Sequence, residues 1–161
     1  MVKKMNTIFH VAKAVRKNCE KIQKELKNYF TSDLCGMCAI ASFALKYALR
    51  MNGIKGQVVA GSFDSYSNHD WVTVNDIVTI NHCWTIANGK IIDITATQFG
   101  DEDEYDPVYI TDVNNPNYFK VKFCNRFDIL RKDKWPVHQI PTSKIVGKIL
   151  GKDLTSQLNL L

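Results

Sequence analysis

The stretch NHCWTIANGKIIDITATQF, residues 81–99, decides how this chain folds. At its centre Asn88-Gly89 separates Thr85-Ile86-Ala87 from Lys90-Ile91-Ile92. Both positions of the favoured two-residue hairpin turn need positive φ, which Asn and Gly tolerate, so the pair predicts a tight β-hairpin. Facing residues then have numbers that sum to 177: Ala87 faces Lys90, Trp84 faces Asp93 and His82 faces Thr95. His82 and Asp93 become diagonal neighbours on one face. Their Cβ atoms would lie about 7 Å apart or less, within reach of an imidazole–carboxylate hydrogen bond.

Outward from the hairpin, period-two patterning or short apolar runs recur at Gln57–Phe63, Trp71–Val74, Ile77–Ile86, Lys90–Thr95, Val108–Thr111 and Tyr118–Cys124. Asn, Asp, Gly and Pro clusters separate them, and together they predict a mostly antiparallel sheet. Upstream the period lengthens. Ile8, Val11, Ala12, Val15, Cys19, Ile22, Leu26 and Phe30 recur every three or four positions among Lys and Glu, the pattern of a long amphipathic helix. A second helix, with Ala39, Ile40, Phe43, Ala44, Tyr47, Ala48 and Met51 on its apolar side, follows TSDLCGMC (31–38) and stops at Asn52-Gly53. The acidic stretch 100–106 reads as a surface loop, 142–150 as a short helix and the last ten residues as weakly ordered. With no internal repeat, low-complexity tract or linker, residues 1–161 read as one α+β domain, its N-terminal helices packed on the sheet.

Composition agrees with a globular domain: 45% hydrophobic and 23% charged residues over 161 positions suffice for a core without staples. His10, Lys13 and Arg16 break up the only apolar run near the start, so no export signal or membrane span is expected, and the cytosol is the simplest location. Five cysteines, Cys19, Cys35, Cys38, Cys83 and Cys124, then read as thiols rather than as a disulfide framework. The net charge of +5 is spread unevenly, with eight Lys/Arg against two Glu in residues 1–30 and four against eleven acidic residues in the middle. That pattern fits solvated helix faces and one acidic loop. No aromatic motif interleaves with the lysines, so nucleic-acid binding is not expected.

The chemistry converges on three residues. Cys38 falls at the start of the second helix, where a thiol pKa is lowered and first-turn N–H groups can stabilise an oxyanion. Gly36 lets the chain turn into that helix, and Ala39 and Ala41 let it pack closely on the sheet. His82 supplies the base, and Asp93 would fix its tautomer and stabilise its protonated form. Cys83 alternates to the face opposite His82 and is not expected to be the nucleophile; His10, His69 and His138 have no suggestive spacing.

These segments carry a family resemblance. CGMCAIAS (35–42) resembles the papain-type run in which the second Cys, here Cys38 rather than Cys35, is the nucleophile at the head of the central helix. NHCW (81–84) and IIDITATQF (91–99) are similar to the His and Asp motifs of transglutaminase-like proteins, which lie on neighbouring strands. The resemblance spans about residues 33–99 and implies a papain-like/transglutaminase-like fold. Papain-type enzymes orient the His with Asn and carry an upstream oxyanion Gln; this chain has Asp93 and no such Gln. The implied activity is thiol-dependent acyl transfer on a peptide, amide or glutamine carbonyl, by a cysteine peptidase or amidase, or alternatively a transglutaminase or glutamine deamidase. Gln98, Trp84 and Cys35 are further candidates for oxyanion or substrate contacts. No cofactor or metal is implied, and the partner expected is a peptide, protein or amide substrate. The alternative from another class is a structural zinc domain on Cys35, Cys38 and two of His82, Cys83 and Cys124, which the Cys-x-x-Cys spacing permits.

Overall fold

In α1 (Val2–Glu25) the apolar stripe Ile8, Ala12, Val15, Cys19 and Ile22 is buried while the Lys-rich side faces out. The computed structural model describes residues 2–26, 34, 36–63, 82–100, 105–124 and 142–151. The strand expected at Trp71–Val74, the first residues of that expected at Ile77–Ile86, the end of the first helix near Phe30, most of the acidic loop and the tail after Gly151 lie outside them.

Helix α2 (Cys38–Met51) is apolar on most sides and buries Phe43, Ala44, Leu45, Ala48 and Leu49. Burying one such Leu or Phe contributes about 1.5–3 kcal/mol. The helix stops where expected. Gly53 turns to φ 70, and its N–H bonds to the Arg50 carbonyl (3.0 Å) while that of Ile54 bonds to Leu49 (2.9 Å), which satisfies two carbonyls the helix leaves open.

Among the described residues five strands, β1 (Gly56–Phe63), β2 (His82–Ala87), β3 (Lys90–Asp93), β4 (Tyr109–Asp112) and β5 (Tyr118–Cys124), form one antiparallel sheet in the order β4-β3-β2-β1-β5. Helix α3 (Thr142–Leu150) completes an α+β arrangement: α2 lies on β1 and β2 and is flanked by α1 and α3. Alternation along the strands builds two apolar clusters. Val58, Ala60, Cys83, Ala87 and Ile92 join the helices in the main core, while Val59, Phe63, Trp84, Ile91, Tyr105 and Tyr118 make an aromatic cluster.

The hairpin forms as the turn chemistry predicts. Asn88 and Gly89 have φ of 52° and 73°, and Ala87 pairs with Lys90, Ile86 with Ile91 and Thr85 with Ile92. The expectation that β3 runs to Thr95 is corrected: it ends at Asp93. The Asp93 carboxylate accepts the Thr95 N–H (2.8 Å) and hydroxyl (3.0 Å), and the chain passes into a 3₁₀ turn at Ala96–Phe99. A side chain that bonds its own backbone two residues on competes with the strand ladder. Among the described residues no helix is long and apolar enough to cross a membrane.

Candidate active site

The approach to Cys38 takes two left-handed steps, at Leu34 (φ 58) and Gly36 (φ 82), before α2 begins on Cys38 itself. Glycine adopts that backbone freely; a buried Leu does so at a cost of order 1–3 kcal/mol, met by the packing around it. Cys38 opens the helix, so its first-turn N–H groups have no acceptor within the helix. Two hydrogen bonds of Ser42, one turn further on, tie the helix to β2: its hydroxyl donates to the Cys83 carbonyl (3.0 Å) and its backbone carbonyl accepts the Thr85 hydroxyl (3.1 Å). This clamp holds the head of α2 over the start of β2, where Cys38 meets both His82 and Cys83 although those neighbours belong to opposite faces.

His82 and Asp93 meet as the hairpin geometry requires. His82 Nε2 lies 2.6 Å from Asp93 Oδ2, and both residues are 1% exposed. The other oxygen of Asp93 is held by Thr95, and Oδ2 also accepts the Tyr118 hydroxyl (2.9 Å). The carboxylate thus has three donor groups besides His82, which fixes its rotamer and its charge. The His82 ring is set edge-on against Phe99 and Phe63, with centroids 4.7 and 5.9 Å away, and tilted against Trp84 at 5.8 Å. With Nε2 taken by Asp93, Nδ1 is the nitrogen left for Cys38. It makes no hydrogen bond of regular geometry among the described residues. The Cys38 sulfur is nevertheless close enough for thiolate and imidazolium to stabilise each other.

The electrostatics favour the charged pair. Burial opposes protonation of His82, but the charge and hydrogen bond of Asp93, followed by those of Cys38, outweigh it and hold its pKa at about 10. The Cys38 thiol is held well below its ordinary value, chiefly by a hydrogen bond from the Cys83 thiol; burial pushes the other way, and His82 and the Cys83 N–H add to the lowering. Burial raises Asp93, yet His82, Thr95 and Tyr118 leave it below its ordinary value. Cys83 is driven up, first by its bond to Cys38 and then by burial, and stays a thiol. By contrast burial alone dominates Cys19, pushed up to about 12, which reads as a structural thiol in α1.

Among the other residues expected at the site, Trp84 shares the face of Asp93 and packs on Tyr118 at 5.1 Å. Gln98 turns back on its own 3₁₀ segment and donates to the Thr95 carbonyl (2.9 Å), a structural bond. Cys35 lies outside the described residues, as do His69 and His138. Cys124 pairs with Val58 on the edge strand, away from the hairpin, and no three potential ligands gather for a metal among the described residues.

Three contributors were not expected. Tyr118 comes from β5, at the opposite edge of the sheet from β4, and its only signal was membership of an aromatic-rich strand. Arg16 of α1 is buried and donates to the Ile94 carbonyl (2.7 Å) and the Thr97 hydroxyl (3.0 Å), pinning the turn that follows Asp93. Cys83 alternates away from His82, as its position in the strand predicts, toward the face that α2 covers and so onto Cys38, a role its spacing did not announce. Cys38 is 5% exposed. Two surface hollows of about 490 and 400 Å³ are lined elsewhere, by residues such as Lys46 and Arg50 or Asn18 and Lys148.

No protein-family model, no curated protein and no solved structure matches the chain.

Proposed function

We propose that this chain is a thiol-dependent acyl-transfer enzyme with a papain-like/transglutaminase-like fold, in which Cys38 is the nucleophile, His82 the acid–base and Asp93 the residue that orients His82. The observation that carries the reading is the buried His82, hydrogen-bonded to Asp93 through Nε2 with Nδ1 left over, at the start of the strand that the head of α2, opened by Cys38, covers. In the scheme this supports, the Cys38 thiolate adds to a carbonyl, and the first-turn N–H groups of α2 stabilise the oxyanion. His82 then gives its proton to the departing amine or ammonia. The resulting thioester is resolved by water that His82 deprotonates, which makes a peptidase or amidase. Transfer to an amine or deamidation of glutamine uses the same first half-reaction, and a peptide, protein or amide substrate suits all three. Free thiols at Cys19, Cys38, Cys83 and Cys124 suit a reducing compartment, and the cytoplasm is the place we assign to it.

Mass spectrometry of the chain mixed with small activated esters and glutamine-containing peptides tests this. A single acyl adduct is expected, mapping to Cys38 and absent in Cys38→Ala. Acylation elsewhere, or stoichiometric zinc released when Cys38 is alkylated, would contradict it.

A further inference from the structure

Cys83 is a buried thiol at the site whose sulfur makes and breaks no bond in acyl transfer. The Ser42–Cys83 and Thr85–Ser42 bonds clamp the first turns of α2 onto β2, so the two sulfurs are held side by side by the same contacts that assemble the core. Sequence spacing favours Cys35 as a thiol partner for Cys38. The clamp favours Cys83, which Ser42, one turn after Cys38, fixes under the head of α2 and within reach of the Cys38 sulfur.

We infer that Cys38 and Cys83 are a built-in oxidation site, at which a hydroperoxide converts Cys38 to a sulfenic acid that Cys83 resolves to a disulfide. This rests on Cys38 being the reactive thiolate of the proposed function. In the first step the Cys38 sulfur attacks the terminal peroxide oxygen; the S–O bond forms, the O–O bond breaks, and the alkoxide or hydroxide leaves and takes up a proton. Sulfur is oxidised by two electrons and the peroxide reduced. In the second step the Cys83 sulfur attacks the Cys38 sulfur, the S–S bond forms, the S–O bond breaks, and hydroxide leaves as water with the Cys83 proton.

The order of events is built into the charges. While Cys38 is a thiolate, Cys83 is kept protonated mainly by donating to it. Once Cys38 is a neutral sulfenic acid, the bond and the charge of Cys38 that chiefly hold Cys83 protonated are gone. A low-pKa thiol next to a resolving thiol is spared further oxidation. The disulfide removes the nucleophile and returns it on reduction, so activity would follow the peroxide level.

The full-length chain is treated with a slight excess of hydrogen peroxide and its unreduced peptides are mapped. The expected result is a Cys38–Cys83 linked peptide, iodoacetamide labelling of Cys38 at pH 6 reduced by more than about tenfold, and recovery with dithiothreitol. In Cys83→Ser, dimedone labels Cys38 instead. A Cys35–Cys38 link, or a dimedone-reactive Cys38 in the unaltered chain with Cys83 still alkylatable, overturns the inference. If Cys83→Ser does not fold, the map of the unaltered chain decides alone. Fast labelling of the reduced chain at pH 6 without the Cys38–Cys83 link sinks only this inference; slow labelling sinks it together with the proposed function.

Discussion

Asp93 and Tyr118 both touch the same charge network, yet their removal has different consequences. Asp93 supplies the charge that keeps His82 protonated, so Asp93→Asn lowers the His82 pKa, and the pH at which His82 ceases to support Cys38 alkylation is expected to fall by about 1–3 units, the worth of an opposite charge at this range. Tyr118→Phe leaves the carboxylate its bonds to His82 and Thr95. It is expected to cost about 1–3 kcal/mol in urea unfolding while leaving Cys38 labelling within about threefold of the parent. Equal loss of reactivity in both variants would mean that Tyr118, not Asp93, sets the orientation of His82. At this scale the legible part of the site was the part that lies close in the chain. His82 and Asp93 are joined by a two-residue turn whose register follows from Asn88-Gly89. Tyr118, Arg16 and Cys83 act across the fold, through strand order and helix crossing, and nothing in their own neighbourhood announces where they land.

Among the elements, β1 carries the tightest constraint. At Gly61 the β1–β5 register shifts, and a Cβ there would run into the Phe119 carbonyl oxygen and the Trp84 indole. The indole covers this strand on the face of His82, so the glycine is what lets Trp84 close the aromatic cluster around the imidazole. Gly61→Ala is therefore expected to destabilise by about 2 kcal/mol or more in urea unfolding, because one partner is backbone and cannot move aside. Gly56→Ala, whose Cβ would meet Leu49 and Thr85 side chains at 3.4 Å, is expected to change stability by less than about 1 kcal/mol. The reverse ranking would show that Trp84 is not packed over Gly61. The elements themselves were legible where one period dominates, as in α1, α2 and β5. The end of β3 was not, because the Asp93 carboxylate captures the Thr95 backbone and overrides the apolar run that continues to Ile94.

The whole molecule should register the charged pair in its stability against pH. A His82 raised to about 10 contributes stability that is full below its ordinary value of 6.5 and is lost as pH rises through about 10. A lowered Cys38 contributes stability that is full above its ordinary value of 9.0 and is lost as pH falls toward its folded value. Within the window from 6.5 to 9.0 the two slopes cancel wherever folded Cys38 is a thiolate, since folded and unfolded chains then bind the same number of protons at this pair. The pair therefore gives a plateau across that window, falling away on both sides by up to about 1.4 kcal/mol per pH unit. Cys38→Ala leaves only the histidine slope and is expected to lose stability steadily from pH 6.5 upward relative to the parent. Matching pH profiles for the two chains in urea titrations would mean that no ion pair exists in the fold.

The central claim is that Cys38 is a thiolate held beside a His82 imidazolium and the Cys83 thiol, and iodoacetamide labelling of Cys38 against pH tests it most directly. An ordinary thiol with a pKa near 9 is about 0.1% ionised at pH 6 and labels tenfold faster with each added unit. The expected result is labelling of Cys38 that is already fast at pH 6 and nearly level to pH 9, and that in His82→Ala falls at pH 6 and rises again only at higher pH. A steep rise centred near pH 9 in the parent chain, unchanged by His82→Ala, would contradict it.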